Sequence, residues 1–370
     1  MRCSSLMLII ALLAGALASP LAQAGQYTTP NTGVCWVMDD LVANSGGVVT
    51  GFGPDYTFYG SVTISPLDTL MIAAGNTLIF DDAQSVFRLW AKGILFAQGT
   101  VGQMITFTST HQTPGAWHGI SLHQGILEYC RVEYATHGIY VGYIESSASV
   151  AHSTIMYNQE GIFLGGPGAY AVIRENLIAN NQTTGIGGDG GINRGQEGEK
   201  QWESLIEDNQ ILDNGYVGIG LFWGIYATIK GNLISGHDCG IVSGPYAGSI
   251  VVENTIVENN RGVLCDSDGF PGGLKLGDLG NQSFEDDGGN HIYNNLEYDL
   301  YNADPETIKA EGNHWGTTDL DIIDSHIYDD EEDVGDADGN GVISGPVDFM
   351  PLGETWVQHN TWGQIKAKFR

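Results

Sequence analysis

Short alternating apolar positions recur along this chain, each run interrupted after a few residues by asparagine, glycine or an acid. Between Cys130 and Trp315 the unit Asn-x-(Ile/Trp) returns as Asn176-Leu177-Ile178, Asn209-Gln210-Ile211, Asn232-Leu233-Ile234, Asn254-Thr255-Ile256, Asn290-His291-Ile292 and Asn313-His314-Trp315. Cys130-Arg131-Val132 and Ser153-Thr154-Ile155 keep the register with substitutions. A second column, Gly-(Ile/Val), runs through Gly119-Ile120, Gly138-Ile139, Gly161-Ile162, Gly185-Ile186, Gly218-Ile219, Gly240-Ile241 and Gly262-Val263. A third places Leu127, Val150, Ile173, Ile206, Ile229 and Val251 three residues before the asparagine position. Most repeats are 22 or 23 residues apart, and two are longer, at 33 and 36.

A fixed period of about 22 residues marks a solenoid. The apolar columns are short and β-branched with polar or glycine breaks, which predicts strands rather than helices. The expected fold is all-β, a parallel β-helix whose coils stack about 4.8 Å apart, with Ile, Val and Leu ladders lining a dry core. The asparagine column is expected at a tight turn. There Asn tolerates the left-handed conformation, and its amide bonds to the next Asn in the stack.

The chain divides into four segments. Residues 1–24 read as an export leader, with Arg2, the apolar run from Leu6 to Ala18 and the cleavage signal Ala22-Gln23-Ala24. A secreted or periplasmic protein cut after Ala24 is expected. No other apolar run is long enough to span a membrane. Residues 25–60 are irregular and aromatic (Trp36, Tyr56, Phe58, Tyr59) and are expected to cap the open end, which would otherwise expose strand edges. Residues 61–318 form the β-helix, its first coils marked by the pairs Val62/Ile64, Leu70/Ile72, Leu78/Phe80, Phe87/Leu89 and Ile105/Phe107. Residues 319–370 form an irregular acidic loop and closing segment. Two insertions, 187–203 and 266–289, both leave the helix after the Gly-Ile strand, three coils apart; long loops on one face can mark a working surface or neutral growth at a tolerant turn.

Charge narrows the partners. There are 44 acidic against 14 basic residues, a net charge of −30. Such a surface repels nucleic acid, anionic membranes and polyanionic sugars unless a cation intervenes, though the same excess also serves solubility alone. Four cysteines follow the leader. Cys239 and Cys265 are out of register by four residues, about 13 Å of strand, beyond the roughly 7 Å between Cα atoms that a disulfide bridges. Cys130, Cys239 and Cys265 are therefore expected as thiols, with Cys35 in the cap.

The closing segments EGNHWGTTD (Glu311–Asp319), Ile327-Tyr328-Asp329-Asp330 and GPVDFMP (Gly345–Pro351), with the opening stretch GILFAQGTVGQMITFTS (Gly93–Ser109) and AWHGI (Ala116–Ile120), resemble secreted bacterial right-handed β-helix repeat proteins. These belong to the pectate-lyase-like, carbohydrate-binding-and-sugar-hydrolase superfamily. The resemblance covers most of 55–351 and implies a right-handed single-stranded solenoid. It does not imply a reaction, because this superfamily holds lyases, hydrolases, epimerases, adhesins and proteins of no known activity.

The catalytic patterns of that superfamily are not met. The Asn-Thr-Asp of polygalacturonase-like hydrolases meets Asn254-Thr255-Ile256, whose third residue points into the core, and their Gly-His-Gly meets Gly236-His237-Asp238. Asp81-Asp82 and Asp286-Asp287 are isolated pairs. Arg131, Arg174, Arg194 and Arg261 stand in no recognisable motif, and His118, His123, His137 and His152 lack metal-ligand spacing. What stands out is an outward aromatic column, Tyr140 and Phe163 one coil apart, with Phe222 and Trp223 further along. Stacked aromatics hold sugar rings, and they equally brace a strand face. Two functions follow as expectations: a noncatalytic glycan-binding or surface-structural module, or a calcium-dependent polysaccharide lyase or glycoside hydrolase working between the inserted loops.

One metal site is expected. Asp336-Ala337-Asp338-Gly339-Asn340-Gly341-Val342 reads as the first half of an EF-hand-type calcium loop, with Asp336, Asp338 and Asn340 as side-chain ligands and Val342 through its carbonyl. The twelfth position is Val347, so the carboxylate Asp348 falls one residue late. The neighbouring Asp329, Asp330, Glu331, Glu332 and Asp333 would repel one another without a cation. Its expected role is to pin the cap.

Overall fold

The computed structural model describes residues 25–82, 87–142, 146–166, 168–190, 203–266, 273–281, 283–333 and 344–353. The leader at 1–24 and the loop positions Asp336, Asp338, Asn340 and Val342 lie outside the described residues. Within them, the chain winds as a parallel β-helix with three faces per coil. The first and second faces share a twenty-stranded sheet, because the strands Arg88–Gln98 and Trp117–Glu128 run through both, and the third face is an eleven-stranded sheet.

Each predicted column is a register line. On the first face Ile120, Ile139, Ile162, Ile186, Ile219, Ile241, Val263 and Leu300 pair in succession. On the second, Leu127, Val150, Ile173, Ile206, Ile229 and Val251 do so. On the third, Val132, Ile155, Ile178, Ile211, Ile234, Ile256 and Ile292 do so. All are 0% exposed. Burying one such side chain contributes about 1.5–3 kcal/mol, so the three ladders are the main source of apolar stabilisation. Near the start of the helix the core becomes aromatic: Phe58, Phe80 and Trp117 stack with centroids 4.6 and 4.0 Å apart.

The asparagines do form a ladder. The backbone N–H of Asn176 donates to Asn209 Oδ1 (3.0 Å), and the same bond repeats from Asn209 to Asn232, Asn232 to Asn254, Asn254 to Asn290, and Asn290 to Asn313. From Asn176 to Asn290 each side-chain amide also donates to the next Oδ1 and back to a carbonyl of the preceding coil, as Asn232 does to Asn254 and Ile206. Cys130 and Ser153 continue the line through the Ser153 hydroxyl and Asn176 Oδ1. The left-handed residue, however, is not the asparagine. It is the residue before it: Tyr129, His152, Glu175, Asp208, Gly231, Glu253, Gly289 and Gly312 all have φ between 49° and 74°. The corner needs one left-handed residue to reverse the chain and then a buried amide to satisfy the backbone it turns inward.

A second ladder closes the other end of the third face, five residues later. Asn158, Asn181 and Asn214 link in sequence, His237 follows, and Asn259 and Asn295 complete it. Its left-handed residues are Tyr157, Asn180, Asp213, Gly236, Glu258 and Asn294. This ladder explains the glycine column. A Cβ on Gly161 would lie 2.4 Å from the Gly185 carbonyl and 3.0 Å from Asn181 Nδ2, and Gly138, Gly185, Gly240 and Gly262 meet the same obstruction. Their φ values are not positive, so close approach, not conformational freedom, demands glycine there.

Strands continue into the segment expected as a cap. Gly25–Thr28 pairs with 60–63 and Cys35–Trp36 with 69–70, both in parallel, and the helix Met38–Asn44 buries Met38 and Leu41. Asp68, 0% exposed, ties this end together by accepting the backbone N–H groups of Asn31, Thr32, Gly33 and Val34 at 2.9–3.1 Å. Burial opposes its ionisation, but the hydrogen bonds from Thr29 and the backbone outweigh that and hold the carboxyl below its usual range.

The first insertion leaves between Thr184–Asp189 on the first face and Glu203–Glu207 on the second. The second differs from expectation. The span 266–289 is not one loop, because Gly273–Lys275 inside it is the second-face strand of its coil, paired with 248–250.

Replacing Asn232 with Ala leaves the Asn209 amides without their acceptor and the Ile206 carbonyl without its donor. A loss of about 2–4 kcal/mol is expected on urea unfolding, whereas Asn→Ala at exposed Asn44 should change little. His237 supplies a pH test. Burial, only partly offset by its bond to Asn259 and the charge of Asp213, lowers its pKa from 6.5 to about 4. The unfolded chain thus binds this proton first, so stability falls as pH drops from 6.5 towards 4, by about 3 kcal/mol at most. His237→Asn, which suits the ladder, should reduce that slope relative to wild type in melts at pH 4.5 and 7.

Candidate functional site

With the inward positions spent on the core and the corners on the ladders, chemistry is left to the outward columns. On the first face one column runs Trp90, Ser121, Tyr140, Phe163, Gly187, Gly220, Val242, Leu264, Tyr301 and Tyr328. Tyr140 and Phe163 are stacked, with centroids 5.8 Å apart and planes 11° apart. The Tyr140 ring covers Gly142 and Gly165, where a Cβ would come within 2.0 and 2.3 Å of it. Beyond Phe163, Gly187 adds no side chain and Gly220 lies under the Phe222 ring, and at the far end Tyr301 and Tyr328 stack at 4.2 Å.

Phe222 is not in this column. It pairs with Asp189, two residues over, but its ring leans back above Gly220, 3.2 Å from where that Cβ would be. Trp223 turns away in a left-handed corner and packs on Tyr246 at 5.8 Å. The sequence's count outward from Gly-Ile therefore aligns Tyr140 with Phe163 but shifts Phe222 by two residues along the strand.

The structure adds polar groups to the aromatic end. Arg88 and Lys92 lie over the Trp90 ring, 4.2 and 3.9 Å from its centroid. His137 contacts both Tyr140 (5.8 Å) and Phe163 (5.4 Å), and its Nδ1 lies 2.8 Å from Glu160 Oε2. His118 is 5.9 Å from His137; burial, then the charges of His137 and Arg88, lower its pKa. This cluster escaped sequence reasoning because its members lie one coil apart, and only the register line reveals them as neighbours. His152 serves a corner, stacked on Tyr129 at 4.9 Å. Arg131 pairs with Glu133, Arg261 with Glu297, and Asp286 is buried against Lys275.

The family of the chain is now decided by sequence. Residues 119–328, over half of the chain, match the family described as periplasmic copper-binding protein (NosD). The chain belongs to the NosD family. It is a periplasmic β-helix protein, and among the described residues no helix is long and apolar enough to cross a membrane. Among solved structures, the periplasmic alginate epimerase AlgG is similar at 12% identity, covering 86% of this chain and 82% of that one, with a TM-score of 0.35. A point mutant of AlgG gives 13%, 86%, 82% and 0.34. Overlays this loose carry no residue across. No curated protein sequence matches the chain.

The described residues hold no group of three or more His, Cys, Asp or Glu able to bind a metal ion. Of the expected calcium ligands only Asp348 is described, and it is paired with the Lys309 ammonium. The repulsion expected among the nearby acids is partly relieved by backbone: Asp333, 0% exposed, accepts Ser344 N–H at 2.7 Å, and Asp329 accepts Val347 N–H at 2.9 Å. The cysteine thiols do not suit the copper of the family's description. Cys130 and Cys239 are buried and pushed up to about 12, and buried Cys265 is raised well above its usual value. Cys265 pairs in register with Ser243, four residues from Cys239.

Native protein treated with a thiol reagent should therefore modify exposed Cys35 rapidly and Cys130, Cys239 and Cys265 only after denaturation, as read by mass spectrometry. A crosslinked 239–265 peptide would contradict the register.

Proposed function

We propose that this NosD-family protein binds a glycan along the first face of its helix, without turnover. The observation that supports the reading is the Tyr140–Phe163 stack beside the glycine positions Gly187 and Gly220. Two half-buried rings stacked one coil apart, 5.8 Å between centroids, offer a continuous apolar surface whose ring area supplies the affinity. From Phe163 to Tyr301 the column runs five coils, about 24 Å, room for a short oligosaccharide.

The test is a polysaccharide panel against the mature chain, wild type and Tyr140→Ala/Phe163→Ala. Binding weakened at least tenfold in the variant, with no product released, is the expected result. Product release on any glycan, or binding unchanged in the variant, would sink it.

The calcium loop stands as a second, structural proposal with Asp336, Asp338, Asn340 and the Val342 carbonyl as ligands, and Asp348 joining only by exchanging Lys309 for the ion. EDTA should then lower the melting temperature relative to millimolar calcium; equal melting temperatures and no calcium by elemental analysis would remove it.

A further inference from the structure

The second face carries an outward line that neither the core nor the ladders explain. Met71, Phe96 and Ile126 succeed one another in register, and after Ser149 come Val172 and Leu205. Thr228 and Ile250 continue the line to Lys275. These side chains point outward, because Leu127, Val150, Ile173 and Ile206 are the inward residues of the same strands. Met71 is 48% exposed, while Phe96, Ile126, Val172 and Leu205 are half-buried. A groove of about 350 Å³ is lined in part by Phe96, Ile126, Tyr170 and Val172. A contiguous apolar strip rimmed by polar residues marks an interaction surface. The face is also electrically balanced. Among the described residues, its outward strand positions carry three acids, Glu128, Glu203 and Glu207, and three bases, Arg174, Lys230 and Lys275, in a chain of net charge −30.

We infer that the second face is the contact surface of a twofold dimer of this chain, with the two solenoids lying antiparallel. Charge selects a second copy. Two molecules of so acidic a protein repel through most of their surface, whereas on this balanced face the repulsion vanishes, and a strongly charged partner finds nothing there to attract it. The order of side chains is self-complementary when the twofold runs along the strands, between the coils of Val172 and Leu205. Val172 then meets the partner's Leu205, Ser149 meets the partner's Thr228, and Ile126 meets the partner's Ile250. Apolar groups face apolar groups, and hydroxyl faces hydroxyl. The partner's Tyr226, 40% exposed, faces Ser147 on the lip of the groove. One outward position along, Arg174 meets the partner's Glu207, and Glu207 the partner's Arg174. These two residues are register neighbours within one chain. Neither has an ion pair among the described residues, whereas Lys230 has Glu253 and Lys275 has Asp286. Eight coils at about 4.8 Å and five residues at about 3.3 Å give a contact of about 38 by 16 Å, roughly 600 Å² on each copy. Specific interfaces begin near that size, at about 1,200 Å² for the two copies together.

The first face takes no part, so the dimer is independent of the glycan reading. Sedimentation velocity on the mature full chain tests it. Wild type should pass from monomer to dimer as concentration rises. Arg174→Glu and Glu207→Arg each set like charges across the twofold, and each alone should raise the dissociation constant at least tenfold. An equimolar mixture of the two variants restores both opposite-charge contacts and should dimerise as wild type does, a rescue that no effect within one chain produces. A wild type that stays monomeric at every concentration overturns the assignment and leaves the face to another occupant, such as an apolar ligand. Single variants that dimerise like wild type, or a mixture that stays monomeric, overturn it too. If a charge variant melts early, Ser149→Cys/Thr228→Cys decides instead. Oxidation should give a peptide linked between positions 149 and 228 of two copies, read by mass spectrometry, and its absence overturns the arrangement.

Discussion

The whole molecule depends on satisfying the buried polar backbone at its corners. A coil of about 22 residues must turn sharply on either side of its third-face strand, and each turn drives carbonyls and N–H groups into a dry interior. Leaving one such group unpaired costs about 1–3 kcal/mol. The paired ladders, Asn176 to Asn313 and Asn158 to Asn295, meet that demand in every coil they reach, because one amide serves its own coil and both neighbours. Coil stability is thereby shared between neighbours, as expected of a one-dimensional stack.

The ladders also dictate what may stand beside them. Glycine is required opposite the second ladder, where the Gly161 and Gly240 backbones come close to Asn181 and Asn259. A left-handed residue precedes each ladder position, and non-glycine residues such as Glu175 and Asp208 accept that strain because the buried amide that follows holds the corner in place. Substitution is freest on the outward columns, and these differ by face. The first carries aromatic clusters at both ends with glycines between; the third carries His291 and His314, their rings 5.0 Å apart.

Several acids of this strongly negative chain are structural anchors rather than surface charge. Asp68 gathers four backbone donors at the first coil, Asp286 is held by Lys275 and Asn281, and Asp333 joins Tyr328 to Ser344 near the last. Each is buried, so its charge is compensated locally and does not add to the repulsion that the composition alone suggests.

The fold was legible because a solenoid writes its contacts into its period. Residues about 22 apart are neighbours, so the columns of Ile186 and Ile211 could be aligned by counting, and the aromatic pair Tyr140–Phe163 came with them. Counting failed where neighbours depend on geometry rather than on period. The left-handed residue precedes the asparagine because the reversal occurs before the amide turns inward. Phe222 stands two residues along the strand from its expected line, on the same face, because period 2 gives every outward strand two candidate positions. The second ladder was visible only as an asparagine five residues after the first, with His237 interrupting it, and its partners became evident from depth of burial. The approach of His137 to Glu160 and of His291 to His314 was decided by tertiary structure alone, since period sets which backbones are adjacent but not which outward side chains turn towards each other.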